Sequence, residues 1–199
     1  MSLFVKICGL RDADDVAAAV AAGVQAVGFV FAESLRRVSP EEARLATRDL
    51  PADVRKVAVM RHPADSEWLA VLAGFEPDVL QTDAADFKKL DVPDHVECWP
   101  VYREGGTGFA VPDEGVFVYE GPKSGSGETV DWTLAAKFAA RGRMLLAGGL
   151  AEDNVARAVR TVRPWGVDVS SGVESLPGRK DHELMQRFVT AVRAVENEL

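Results

Sequence analysis

Cys8 is the side chain in this sequence with the most chemistry in it. It closes the apolar run Leu3-Phe4-Val5-Lys6-Ile7-Cys8-Gly9. A thiol with a pKa near ~8.5 becomes a base or nucleophile once its surroundings favour the thiolate. The plain alternative is a small side chain packed as a hydrophobe. Far downstream come Gly148-Gly149, ahead of the acidic pair Glu152-Asp153, and then Ser170-Ser171-Gly172. Turns of this kind beside a helix start offer backbone N–H groups to phosphate oxygens. Arg36, in the pair Arg36-Arg37, is of the type that holds a carboxylate through two parallel hydrogen bonds. Such pairs are also common as solvated surface features. Glu120 ends the run Val116-Phe117-Val118-Tyr119-Glu120 before a glycine- and serine-rich loop, Gly121 to Gly127. A carboxyl there is a general acid if burial raises its pKa, and otherwise a surface acid at a loop edge.

Short β-branched runs must position these groups, and they alternate with amphipathic stretches along the whole chain. Strands are predicted at Phe4–Cys8, Ala26–Phe31, Lys56–Met60, Val79–Thr82, Cys98–Tyr102, Val116–Glu120, Met144–Ala147 and Gly166–Val169. Helices are predicted at Asp12–Ala22, Pro40–Leu50, Ala64–Gly74, Asp83–Leu90, Trp132–Ala140, Glu152–Val162 and Asp181–Asn197. Ser39 before Pro40 and two glutamates is an N-cap signal, and Gly23 is a C-terminal stop. The stretch from Arg103 to Gly115 is rich in glycine, so a short helix or a loop is expected as the fifth crossover. Eight strands alternating with helices imply βαβ units and a single α/β domain over residues 1–199, a (β/α)₈ TIM barrel. In that fold Cys8 and Glu120 end strands at the catalytic face, and the two phosphate-type turns follow strands seven and eight. An open doubly wound sheet is the structural alternative.

Composition narrows the function classes. The 199 residues carry a net charge of −8, from 31 acidic and 23 basic residues. That disfavours sequence-independent nucleic-acid binding, which needs a cationic face. No apolar run of ~18 residues or signal-like N-terminus is visible, so a cytoplasmic protein without a membrane partner is expected. The two cysteines, Cys8 and Cys98, have no metal-ligand spacing and no disulfide framework around them. Sixteen of the basic residues are arginine and seven are lysine. An acidic, lysine-poor surface suits a high-salt cytoplasm, and equally suits ordinary variation in surface composition.

Five blocks in order resemble the phosphoribosylanthranilate isomerases of tryptophan biosynthesis. They are Lys6-Ile7-Cys8-Gly9; Ala26 to Phe31 with Arg36 and Ser39-Pro40; Gly125 to Trp132; Ala147-Gly148-Gly149-Leu150 with Asn154-Val155; and Val167 to Glu174, running on into Pro177 to Asp181. The resemblance implies a barrel enzyme with no metal or organic cofactor, acting on a small phosphoribosyl substrate; barrels of this size occur as a monomer or homodimer. The reaction is an Amadori rearrangement of an aminoaldose to an aminoketose. It implies Cys8 as base, Arg36 on the anthranilate carboxylate, and Asp168 beside the ribose. Gly148, Gly149, Ser170, Ser171 and Gly172 fall in the phosphate turns, and Gln81 begins a substrate-facing segment.

Two departures from the family pattern stand out. The family's acid is an aspartate, and here either Tyr119 or Glu120 takes that place. Glu120 is preferred, because a carboxyl tunes to neutral operation better than a phenol near pKa ~10. Strand alternation then points Val118 inward and Tyr119 outward. The family's Gln-Leu-His-Gly reads Gln81-Thr82-Asp83-Ala84, so the histidine's role is lost or passes to Asp83. His62, His95 and His182 read as structural or surface residues. Two other readings fit fewer residues: a different phosphosugar barrel, and a phosphoribosyl-ligand binder without catalysis.

Overall fold

A computed structural model describes residues 2–106, 115–122, 129–196 and 198. Eight parallel strands close a barrel in chain order: β1 Phe4–Cys8, β2 Ala26–Val30, β3 Arg55–Val59, β4 Val79–Asp83, β5 Glu97–Arg103, β6 Val116–Glu120, β7 Arg143–Leu146 and β8 Gly166–Val169. The ring closes by β1 pairing with β8, in a register that sets Lys6 opposite Asp168. Outside the ring lie α1 Ala13–Ala22, α2 Pro40–Ala46, α3 Asp65–Phe75, α4 Trp132–Ala139, α5 Glu152–Val162 and α6 His182–Glu196.

Side-chain alternation divides the core in two. Outward residues such as Val5, Ile7, Phe29, Leu80, Phe117, Tyr119 and Leu146 pack under the helices. Inward residues such as Ala26, Val57, Val79, Trp99, Val101, Val118 and Leu145 fill the barrel. Its lower end is plugged by aromatics: Phe4 stacks on Trp165 at 4.6 Å between ring centroids and meets Trp99 edge-on at 5.7 Å. Bulky residues below leave the polar inward positions, Lys6, Gln81, Arg103 and Asp168, to the upper layers, where the strand ends open to the βα loops.

The helix starts follow their caps. Asp12 accepts from the Asp15 N–H at 2.9 Å, and Asp131 accepts from Thr133 and Leu134. Ser39 and Glu42 form a reciprocal capping box with Pro40 in the first turn. α2 stops at Ala46, short of the expected Leu50, where the Thr47 hydroxyl turns back to the Ala43 carbonyl at 2.9 Å. The helix expected over Asp83–Leu90 is reduced to a single 3₁₀ turn at Asp86–Lys88. Asp83 stays in β4, and the Asp86 carboxylate turns back to accept from Thr82 Oγ1 at 2.7 Å. After β5, Glu104 to Gly106 form no helix; the rest of that crossover lies outside the described residues, as does most of the glycine-rich loop after β6. A feature absent from the sequence reading follows β8: a 3₁₀ turn, Ser171–Val173, and an antiparallel hairpin of β9 Glu174–Leu176 and β10 Arg179–Lys180.

Ser39→Ala removes one side of the capping box, whose residues are not among those that line the cavity. It should lower unfolding free energy by about 1 kcal/mol, read as a shift in denaturant midpoint with an unchanged slope.

Candidate active site

The mouth of the barrel holds a cavity of about 210 Å³. Its lining includes Cys8, Arg36, Gln81, Glu120, Gly148, Gly149, Asp168, Ser170 and Ser171. Nine of the ten residues singled out from sequence are thus brought together. The tenth, Gly172, stands behind the wall, where a Cβ would run into the Leu150 carbonyl. Its role is to let the turn after β8 press against the turn after β7.

Three inward positions of β1 and β8 build the floor. The Lys6 ammonium, with no exposure, is 2.8 Å from Asp168 Oδ2. The tips of Lys6 and Cys8 converge over Gly28, which offers no side chain to separate them. Burial opposes the Lys6 charge, but Asp168 and Cys8 outweigh it and raise its pKa. Burial also pushes the Cys8 thiol up, with Lys6 pulling against it through charge and a hydrogen bond. The remaining Asp168 oxygen, Oδ1, and Gln81 Oε1 are buried without a hydrogen-bond partner among the described residues. Both belong to cavity-lining residues, and buried acceptors of this kind call for a donor.

One wall is held by a shared carboxylate. Glu174 accepts two bonds from Arg36, at 2.7 and 2.8 Å, and one from Lys180 at 2.9 Å. Lys180 also donates to the Ser170 carbonyl at 2.9 Å, tying the hairpin to the phosphate-type turn. Burial would raise the Glu174 pKa, but the hydrogen bonds from Arg36 and Lys180 win and hold it at about 2. Gly9, at φ +76°, admits the Arg36 side chain across the end of β1; a Cβ there would lie 2.6 Å from Arg36 Cδ. The space beside Cys8 therefore goes to Arg36. In the turn after β7, Gly148 and Gly149 have φ of 91° and 61°. Asn154 secures it by donating to the Gly149 carbonyl and accepting from the Ala151 N–H.

The opposite wall comes from β4, β5 and β6. Arg103 bridges Asp83 and Glu120, the latter at 2.9 Å. Tyr119 faces the other way: it is 1% exposed, packs on Phe138 at 5.3 Å, and burial pushes its pKa up to about 12. The choice between the two candidate acids is therefore geometric, since Glu120 alone of the pair lines the cavity. Among the described residues, His62, Asp83 and Asp86 are close enough to share a metal ion, with ligand atoms within 4.8 Å of one another. Asp86 is already engaged by the His62 ring at 3.0 Å and by Thr82.

Comparison with known proteins matches residues 5–191 to the model of N-(5'-phosphoribosyl)anthranilate isomerase. The chain belongs to the N-(5'-phosphoribosyl)anthranilate isomerase family. A family member from Listeria monocytogenes is 35% identical, over 98% of this chain and all of the relative. The crystal structure of TrpF from Jonesia denitrificans is 34% identical with a TM-score of 0.80, covering 98% of both chains. A phosphoribosyl anthranilate isomerase solved with reduced 1-(o-carboxyphenylamino)-1-deoxyribulose 5-phosphate is 28% identical, with a TM-score of 0.78 over 96% of this chain and 99% of that one.

Set among phosphoribosylanthranilate isomerases, the chain shows site residues that the sequence reading left without a role. Lys6 could have been found from strand parity, because a lysine two residues before Cys8 shares its inward face. Arg103 shares the inward face of Trp99 and Val101 in the same way. Glu174 and Lys180 carry no such local signal; only the hairpin register pairs them. His62 was read as structural or surface, and its ring reaches Asp83 at 3.4 Å, beside the position of the missing family histidine.

Two outcomes follow. Glu174→Gln leaves Lys180 buried without its counter-charge, and should cost about 3 kcal/mol of stability. Because the folded pKa of Glu174 is depressed to about 2, its stabilisation is complete above the unfolded value near ~4.3 and fades as pH falls toward 2. Acid unfolding curves should lose part of that limb in the variant. Second, a thiol raised by burial should react with iodoacetamide about tenfold faster per pH unit from 7 to 9, without a plateau. Alkylation at Cys8, followed by mass spectrometry, reads this directly.

Proposed function

We propose that the chain isomerises N-(5'-phosphoribosyl)anthranilate to 1-(2-carboxyphenylamino)-1-deoxyribulose 5-phosphate, a step of tryptophan biosynthesis, as a single barrel domain. The observation that carries this is that Cys8 and Glu120 end two strands and line one cavity. The backbone turns after β7 and β8 line the same cavity. In this reading Glu120 gives a proton to the furanose ring oxygen. The C1'–O bond breaks, and the aniline nitrogen's lone pair forms the protonated Schiff base. Cys8 then takes the proton from C2', and its electron pair shifts to give the enolamine, which tautomerises to the ketone.

The surrounding groups have matching tasks. Lys6, beside the sulfur, supplies a counter-charge as the thiolate forms. Asp168 Oδ1 and Gln81 Oε1 are suited to accept from ribose hydroxyls. Gly148, Gly149, Ser170 and Ser171 receive the phosphate, and the Arg36 side takes the anthranilate carboxylate. Each task follows from where charge sits or develops in the reaction.

Turnover of freshly generated phosphoribosylanthranilate, followed by loss of anthranilate-type fluorescence, tests the reading. Wild type should turn over, while Cys8→Ser and Glu120→Gln should each lose at least about 100-fold in kcat. Both variants should still bind a reduced product analogue. Absence of wild-type turnover at low and molar salt, with phosphate-ligand binding intact, would leave a binder rather than an enzyme. Turnover surviving Glu120→Gln would remove the acid from Glu120.

A further inference from the structure

Glu120 has one methylene more than the aspartate of the family pattern, and a longer arm has more ways to miss its target. Arg103 is the register partner of Glu120 on the neighbouring strand, so both side chains point inward at the same height. The guanidinium is about one-fifth exposed and forms an ion pair with Glu120 Oε1 at 2.9 Å through Nη2. Through Nη1 it contacts Asp83, at the end of β4. Asp83 in turn faces the His62 ring at 3.4 Å, and His62 is anchored from its other ring nitrogen by Asp86 at 3.0 Å. Its backbone N–H also donates to Asp86, at 3.1 Å. Asp86 is fixed by the Thr82 hydroxyl at 2.7 Å.

The result is a continuous chain of alternating partners, Asp86, His62, Asp83, Arg103 and Glu120, running along the rim from the β3 loop to the end of β6. A guanidinium presents its donors in a rigid plane, so fixing one side of the fork fixes the direction of the other. Asp83 holds one side, and the other is aimed at Glu120. The two departures from the family pattern, the longer acid and the aspartate in place of the strand-four histidine, meet at this one arginine.

We propose that Arg103, braced by Asp83, is a positioning residue for Glu120, fixing the longer carboxylate arm where it meets the substrate's ring oxygen. This rests on Glu120 being the acid of the proposed reaction. Arg103 acts through Glu120, and its contribution lies in the geometry of proton delivery.

The experiment is steady-state kinetics on Arg103→Gln, Arg103→Lys and Asp83→Asn, with Arg103→Gln repeated in a Glu120→Asp background. A misplacement of ~1 Å costs on the order of 100-fold in rate, so Arg103→Gln should lose about 10- to 100-fold in kcat. KM should stay within about threefold, and reduced product analogue should bind normally. Arg103→Lys should recover part of the loss, and Asp83→Asn should show a smaller loss of the same kind. With the shorter aspartate in place, the same Arg103→Gln change should cost several-fold less. A rise in KM at constant kcat would make Arg103 a substrate contact and overturn the proposal. Equal losses with Glu120 and with Glu120→Asp would overturn it as well. Glu120→Gln, run alongside, separates the two failures. If it stays active, the assignment of the acid falls and the proposal with it; if it is inactive while Arg103→Gln is unaffected, only the proposal falls.

Discussion

The Lys6–Asp168 ion pair lies on the seam where β1 closes onto β8, and much of the upper barrel is arranged around it. Neither group reaches water to a useful extent, and both come from inward positions of directly paired residues. Such a pair adds little net stability, because desolvating two charges offsets most of their attraction. Its consequence is spatial. A one-residue slip of either strand would turn its charge outward under the helices and leave the other buried inside the barrel without its partner. The seam therefore closes in one way, and that closure sets Cys8 at the rim beside an ammonium.

From that constraint the two walls differ. On the β1, β2 and β8 side, the chain after β8 folds back as a hairpin, and Glu174 joins Arg36 to Lys180. On the β4 to β6 side, register alone gathers Asp83, Arg103 and Glu120 at neighbouring strand ends. The first wall depends on a segment that is no part of the repeating strand–helix pattern. The second is a product of the pattern itself.

That contrast explains what was legible in the sequence. Strand positions came through within a residue or two, because alternation of β-branched runs and amphipathic stretches is a local signal. Cys8 and Glu120 were visible as the last residues of such runs, and parity placed Val118 inward and Tyr119 outward. The helix expected after β4 failed because Asp83 and Asp86 are committed to the rim, a tertiary demand that helix propensity does not register. The Glu174–Lys180 pair was illegible because a two-residue strand around a Pro-Gly turn leaves almost no periodicity to read. His62 carries no local sign of its place beside Asp83, because only the fold brings the β3 loop against the end of β4.

The interlocked side chains also polarise the barrel mouth. Among the described residues, two cations meet one carboxylate around Glu174, whereas two carboxylates meet one cation around Arg103. The molecule as a whole carries −8. A multiply charged anion approaching from afar is thus repelled by the net charge and attracted at short range by the Arg36 side. Dissolved salt screens the long-range repulsion far more than the short-range, partly buried attraction. Encounter with an anionic ligand is then a case in which added electrolyte speeds association, the reverse of ordinary electrostatic steering.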